Sequence, residues 1–88
     1  MAVARSEDTL ETVKRFIADV CAVDLATVQP SGKLLAYGLD SVRLLDLVMA
    51  VEDRYGLEIG DSDPELAAVE TVEDLAAFID RRRGEGGT

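Results

Sequence analysis

The chain has 88 residues and carries 18 acidic against 9 basic side chains, with no histidine and one cysteine, for a net charge of −9. That length makes one small domain, and the charge argues against nucleic acid and anionic membranes as partners while favouring basic patches on other proteins. Hydrophobic residues are 48% of the total and aromatics only 5%, so the core is aliphatic; without a disulfide framework or metal-ligand cluster, stability must come from helix packing.

Residues 1–6 are expected to be a disordered N-terminus. The segment Met1–Asp8 has no long apolar stretch, and nowhere does the chain hold the ~18 apolar residues of a membrane span, so a soluble, cytoplasmic protein is expected; a monomer is expected as well. Ser6-Glu7-Asp8 reads as a helix start, and Leu10, Val13, Ile17, Val20 and Cys21 recur at helical spacing, with Phe16 beside them, to about Ala22. Cys21 lies on that apolar face and reads as a buried small hydrophobe; a single unpaired thiol agrees with a reducing compartment. A long loop follows from Val23 to Asp40, where Gln29-Pro30-Ser31-Gly32 forbids a continuous helix and Leu25, Val28, Leu34 and Leu35 are expected to pin the chain to the core.

Gly38-Leu39-Asp40-Ser41 then runs directly into an apolar helical pattern ending at Tyr55, with Gly56 as its stop. The glycine permits a sharp turn and the aspartate caps the helix. Ser41 stands in the first turn, where unpaired N–H groups and the helix dipole favour an anion such as a phosphate ester. The helix carries two apolar stripes. Leu44, Leu47, Val48, Val51 and Tyr55 form a core stripe; Val42, Leu45 and Met49 follow a neighbouring line that begins beside Ser41. Periodicity alone is compatible with a helix buried all round or with an exposed second stripe.

Asp61-Ser62-Asp63-Pro64-Glu65 spaces carboxylates as a calcium loop begins, but Leu66 stands where such a loop needs glycine and Val72 where it needs a bidentate glutamate, so no metal is expected. Asp63-Pro64-Glu65 instead reads as a cap and first turn of a short helix through Ala68. Thr71-Val72-Glu73-Asp74 resembles a capping box, and Val72, Leu75, Phe78 and Ile79 form the buried stripe of a last helix closed by Arg81-Arg82-Arg83. Residues 84–88 read as a flexible tail. The expected fold is all-α: a four-helix bundle of three longer helices and a short third helix, spanning residues 7–83, with a long loop between helices one and two.

Between Leu44 and Asp80 there are eleven acidic residues and one basic residue, so the negative field is local to the second half of the chain. Asp40, Asp46, Glu52 and Asp53 are the acids nearest Ser41 in sequence. Individually they read as a solvated helix face; grouped around an exposed apolar stripe they read as a docking rim. Without histidine, and without Gly-x-Ser-x-Gly, His-Glu-x-x-His or Gly-Lys-Ser/Thr motifs, the chain lacks the usual means of activating its own serine. Modification of Ser41 therefore requires another enzyme.

Gly38-Leu39-Asp40-Ser41-Val42 resembles the Gly-x-Asp-Ser-Leu attachment motif of carrier proteins, and Leu47-Val48-Met49-Ala50-Val51-Glu52-Asp53-Arg54-Tyr55-Gly56-Leu57-Glu58-Ile59 resembles the recognition helix and following loop of discrete acyl carrier proteins. The likeness extends from about Glu7 to Arg82. It implies a carrier rather than an enzyme: Ser41, with Asp40 in its motif, receives 4′-phosphopantetheine from coenzyme A through a phosphopantetheinyl transferase, and the thiol of the arm holds cargo as a thioester. It further implies docking of acyltransferases, ketosynthases or adenylating enzymes on Val42, Arg43, Leu45, Asp46, Met49, Glu52 and Asp53, and a cargo groove bordered by Ile59 and Leu66. Arg43 departs from the acidic or polar residue common two places after the serine, and Leu39 from the Gly-Gly pattern of peptidyl carriers. Fatty-acid, polyketide or related secondary-metabolite carriage is the leading expectation. A stand-alone aminoacyl or peptidyl carrier and a non-covalent helical adaptor stand beside it.

Overall fold

The computed structural model describes residues 5–60 and 63–86. Four α-helices follow in order: α1 (Arg5–Cys21), α2 (Ser41–Tyr55), the one-turn α3 (Pro64–Ala67) and α4 (Val72–Gly86). The expected all-α bundle is what forms. Expectations for residues 1–4, for Asp61 and Ser62, and for residues 87–88 lie outside the described residues. Two helix ends reach further than the sequence suggests: α1 already includes Arg5 and Ser6, and α4 continues through residues 84–86. Terminal-turn residues need only one main-chain bond to stay helical, whatever their side chains favour.

The core draws on every helix. Val13 and Ile17 of α1, Leu47, Val48 and Val51 of α2, Leu66 of α3, and Val72, Leu75, Phe78 and Ile79 of α4 are buried, and Val28, Leu34, Leu39 and Ile59 join them from the connections. Leu10, Phe16, Val20 and Cys21 are half-buried around this set, so Cys21 sits at the edge of the core rather than inside it. Burial pushes its thiol pKa up, a direction that leaves the sulfur protonated and unreactive.

Each helix end has its own chemical cause. After α1, Ala22 takes a left-handed conformation at φ 57° and the Val23 N–H reaches back to the Ala18 carbonyl at 3.0 Å, closing the helix without a glycine. Gly56, at φ 67°, ends α2. Asp63 accepts the Glu65 N–H at 2.8 Å to cap α3. The Thr71 hydroxyl accepts the Asp74 N–H at 3.1 Å, while the Asp74 carboxylate accepts the Glu70 and Thr71 N–H groups at 3.3 and 3.2 Å, a reciprocal cap for α4.

Those N–H groups, Glu70 first, hold the Asp74 carboxyl below the usual carboxylate range. A depressed native pKa means stability that is complete above the unfolded-state value and disappears as pH falls through the native one. The stability difference between wild type and Asp74→Asn should therefore be full at neutral pH and shrink below about pH 4. Urea midpoints measured across pH check this, and a difference independent of pH would count against it.

One buried polar contact ties the first helix to the last. Thr9, fully buried, donates its hydroxyl hydrogen to Asp80 Oδ1 at 2.6 Å and accepts from Arg83 Nη1 at 2.9 Å. Arg83 also lies 4.6 Å from the Tyr55 ring centroid, which links α4 to the end of α2.

The loop between α1 and α2 is ordered by two 3-10 turns, Leu25–Thr27 and Leu34–Tyr37, and by main-chain bonds to the start of α4. Leu34 N–H donates to Glu70 O at 2.9 Å, Val72 N–H to Gly32 O at 3.0 Å and Glu73 N–H to Pro30 O at 2.8 Å. The Tyr37 hydroxyl clasps the loop from within, accepting the Gln29 N–H at 2.8 Å and donating to Thr27 O at 3.2 Å. Val28 and Leu34 anchor the loop as expected, whereas Leu25 and Leu35 are exposed. The three-residue repeat of a 3-10 turn sets Leu34 and Tyr37 on one face and turns Leu35 away from it.

Gly32 lies against the Tyr37 phenol: an added Cβ would overlap its oxygen and come within 2.7 Å of Cζ. Gly32→Ala should displace the tyrosine and cost about 1–3 kcal/mol, read as a lower urea midpoint. An unchanged midpoint would mean that the clasp yields without loss.

Candidate functional site

The site is assembled where this loop enters α2. Gly38 takes a left-handed conformation at φ 91°, closing the second 3-10 turn, and Leu39 drops into the core with its N–H on Leu34 O at 3.3 Å. That anchor fixes where α2 begins. Asp40 caps the helix, with Oδ1 accepting the Arg43 N–H at 2.9 Å, and its carboxyl is held below the usual range, first by this bond and also by the Arg43 guanidinium. Ser41, the first residue of α2, is exposed. A short side chain at an exposed helix N-terminus suits attachment of an anionic group.

Two clefts open beside Ser41. One, of about 600 Å³, lies between the loop, α2, α3 and the start of α4, and its walls include Leu34, Leu39, Leu44, Leu66, Val69 and Leu75. The other, of about 480 Å³, is lined by Ser41, Val42, Leu44, Leu45 and Val48. Leu66 borders the larger cleft as the sequence suggests. Ile59 does not; it is buried, with its N–H on Glu52 Oε2 at 2.7 Å.

The second stripe of α2 faces outward. Val42 is 71% exposed, Leu45 44% and Met49 59%, and Leu35 from the loop, at 82%, extends the same class of surface. Asp46 and Asp53 are exposed on α2. Glu52 differs from them, because it is half-buried and its carboxylate holds the loop after α2. Arg43 is exposed and paired with Asp40, Nη1 to Oδ2, at 3.1 Å. Sequence reasoning missed Leu35 and the loop side of the larger cleft. The turn that holds Leu35 is only four residues long, too short for a period to show which way the side chain faces, and the second depends on contacts among residues far apart in the chain.

Residues 11–79 match the phosphopantetheine attachment site family. The chain belongs to that family. An acyl carrier protein of Solidesulfovibrio magneticus is 40% identical over 76 residues, covering 85% of this chain and 95% of its own. The crystal structure of the Thermotoga maritima acyl carrier protein superposes with a TM-score of 0.77 at 25% identity, covering 97% of this chain and 98% of that one. A free-standing peptidyl carrier protein from an Acinetobacter baumannii secondary metabolic pathway gives 0.76, also at 25% identity, over 86% and 92%.

The chain is thus a carrier protein, not an enzyme, and its prosthetic group is covalent 4′-phosphopantetheine. Carriers of this family engage phosphopantetheinyl transferases and biosynthetic enzymes. The residues at the mouth of α2 fit such a group: an exposed hydroxyl, a helix N-terminus for a phosphate, and apolar-walled clefts beside it for the arm and what it holds. Among the described residues no helix is long and apolar enough to cross a membrane, and no three His, Cys, Asp or Glu side chains are grouped to hold a metal.

Proposed function

We propose that the chain carries acyl intermediates as thioesters on a phosphopantetheine arm esterified to Ser41, and passes them between enzymes of fatty-acid, polyketide or related secondary-metabolite biosynthesis. The observation that carries this reading is the exposure of Ser41 in the first turn of α2, where it lines two apolar-walled clefts. In loading, Ser41 Oγ forms a bond to the β-phosphorus of coenzyme A as the bond to the 3′-phospho-AMP leaving group breaks. The serine proton goes to a base of the transferase, since this chain has no histidine to take it. Ser41 is the acceptor and supplies no catalysis.

Partners read the exposed Val42, Leu45 and Met49 stripe, framed by Asp46, Glu52 and Asp53, with Arg43 beside the serine. An apolar patch rimmed by acids suits partners with a basic surface around an apolar socket. Incubation with coenzyme A and a promiscuous phosphopantetheinyl transferase should add the mass of one arm to wild type and none to Ser41→Ala. An arm on the alanine variant, or none on wild type, overturns the assignment, and in the second case a non-covalent adaptor becomes the better reading.

The comparable structural likeness to a free-standing peptidyl carrier supports a second reading, an aminoacyl cargo. Offering the loaded protein to adenylating enzymes and to acyltransferases separates the two. Loading by adenylating enzymes alone would overturn the acyl assignment.

A further inference from the structure

We propose that Arg43 is a second anchor for the arm, its guanidinium taking the phosphodiester on Ser41 as an acceptor alongside the Asp40 carboxylate. The inference rests on Ser41 being the attachment point. Ser41 stands in the chain between the two partners of an ion pair: Asp40 accepts from Arg43 twice, from the main-chain N–H at 2.9 Å and from Nη1 at 3.1 Å. The main-chain bond fixes the cap, and the Nη1 bond holds the guanidinium back toward the helix mouth instead of letting it extend along the helix surface. Nη1 is only one nitrogen of a planar fork with five N–H donors, and the side chain is exposed, so the fork can engage a second oxyanion without releasing the first.

Charge makes such an acceptor costly to leave unmatched. Before loading, Asp40 and Arg43 neutralise each other. Loading sets a phosphodiester anion one residue from Asp40, which already occupies the favourable end of the helix dipole, in a chain of net charge −9. The cations of α2 are Arg43 and Arg54, and Arg54 lies at the other end of the helix, over the Tyr55 ring. Lys33 lines the larger cleft, but it belongs to the loop and not to the helix that carries Ser41. Arginine also matches a phosphate geometrically, with two parallel donors where lysine offers a point charge.

The test uses the full chain, wild type, Arg43→Gln and Lys33→Gln, each apo and loaded with phosphopantetheine, with loading verified by intact mass before anything else is read. Absence of an arm on wild type would overturn the Ser41 assignment and this inference together. With the arm present, two results are expected. Loading should lower the melting temperature roughly 1–4 °C more in Arg43→Gln than in wild type or Lys33→Gln, because the variant must hold two neighbouring anions without the cation that they would share. The Arg43 side-chain Nε–H resonance of wild type should shift on loading. A merely structural pairing with Asp40 would change apo and loaded melting temperatures equally. Equal loading effects in all three proteins, an effect in Lys33→Gln as large as in Arg43→Gln, or a stationary Arg43 resonance in loaded wild type would each overturn the inference while leaving the Ser41 assignment intact.

Discussion

Met49→Ala is expected to slow transfer of cargo to or from a partner by about 5- to 30-fold while leaving helix content and thermal unfolding close to wild type. Truncating a central apolar contact removes about 1–2 kcal/mol from an interface. The free protein loses little, because Met49 is already 59% exposed. Thioether flexibility also suits a surface that must fit more than one partner. Asp46→Lys should act in the same direction through encounter rather than packing, with its effect fading at high salt. Transfer kinetics beside thermal melts of the same samples check both variants. A large fall in melting temperature for Met49→Ala would assign this side chain to the core and remove the docking argument built on it.

Phe78→Ala should have the largest effect on the fold. Phe78 is fully buried at the centre of the apolar stripe of α4, and it is the largest fully buried side chain of the described residues. Deleting a buried phenyl ring costs about 3–5 kcal/mol through lost burial and the cavity left behind. At about 0.05–0.15 kcal/mol per residue, a domain of 88 residues holds only about 4–13 kcal/mol in total, so the variant should be marginal or unfolded at 37 °C. The ring also lies 5.0 Å from the Arg82 guanidinium carbon, and Arg82 pairs with Asp63, the cap of α3, and with Glu65. The loss should therefore reach the wall of the larger cleft, to which α3 contributes Leu66. Phe78→Leu, which keeps most of the volume, should cost much less, below about 1.5 kcal/mol. Denaturant titration distinguishes the two variants, and a near-native midpoint for Phe78→Ala would contradict the packing described.

The elements were legible in the sequence wherever a local rule governs them. Asp40, Gly56, Asp63-Pro64 and the Thr71/Asp74 pair mark helix ends because capping is settled within three or four residues. The end of α1 was less sharply marked, because an alanine in a left-handed conformation does there what glycine usually does. Leu25 and Leu35 are exposed and not the anchors their composition suggests, since an apolar residue in a loop has no period long enough to say which way it faces. The sequence groups Glu52 with an acidic rim; that its carboxylate holds the Ile59 N–H depends on the path of the chain after α2.

By itself the sequence determined an all-α chain, a serine at the mouth of its second long helix, and a surplus of apolar residues on that helix, all consequences of spacing and of the strong preferences of glycine, proline and capping side chains. Whether the surplus was core or surface had to wait for the other helices, because α2 has one inward face and only its neighbours decide which stripe fills it. The tertiary structure exposed Val42, Leu45 and Met49, brought Leu35 to the surface, and formed the larger cleft from the loop, α2, α3 and α4. It also closed Arg43 onto Asp40 across Ser41. Local rules act over a few residues, whereas a cleft is the space left between segments tens of residues apart, and only their packing defines it.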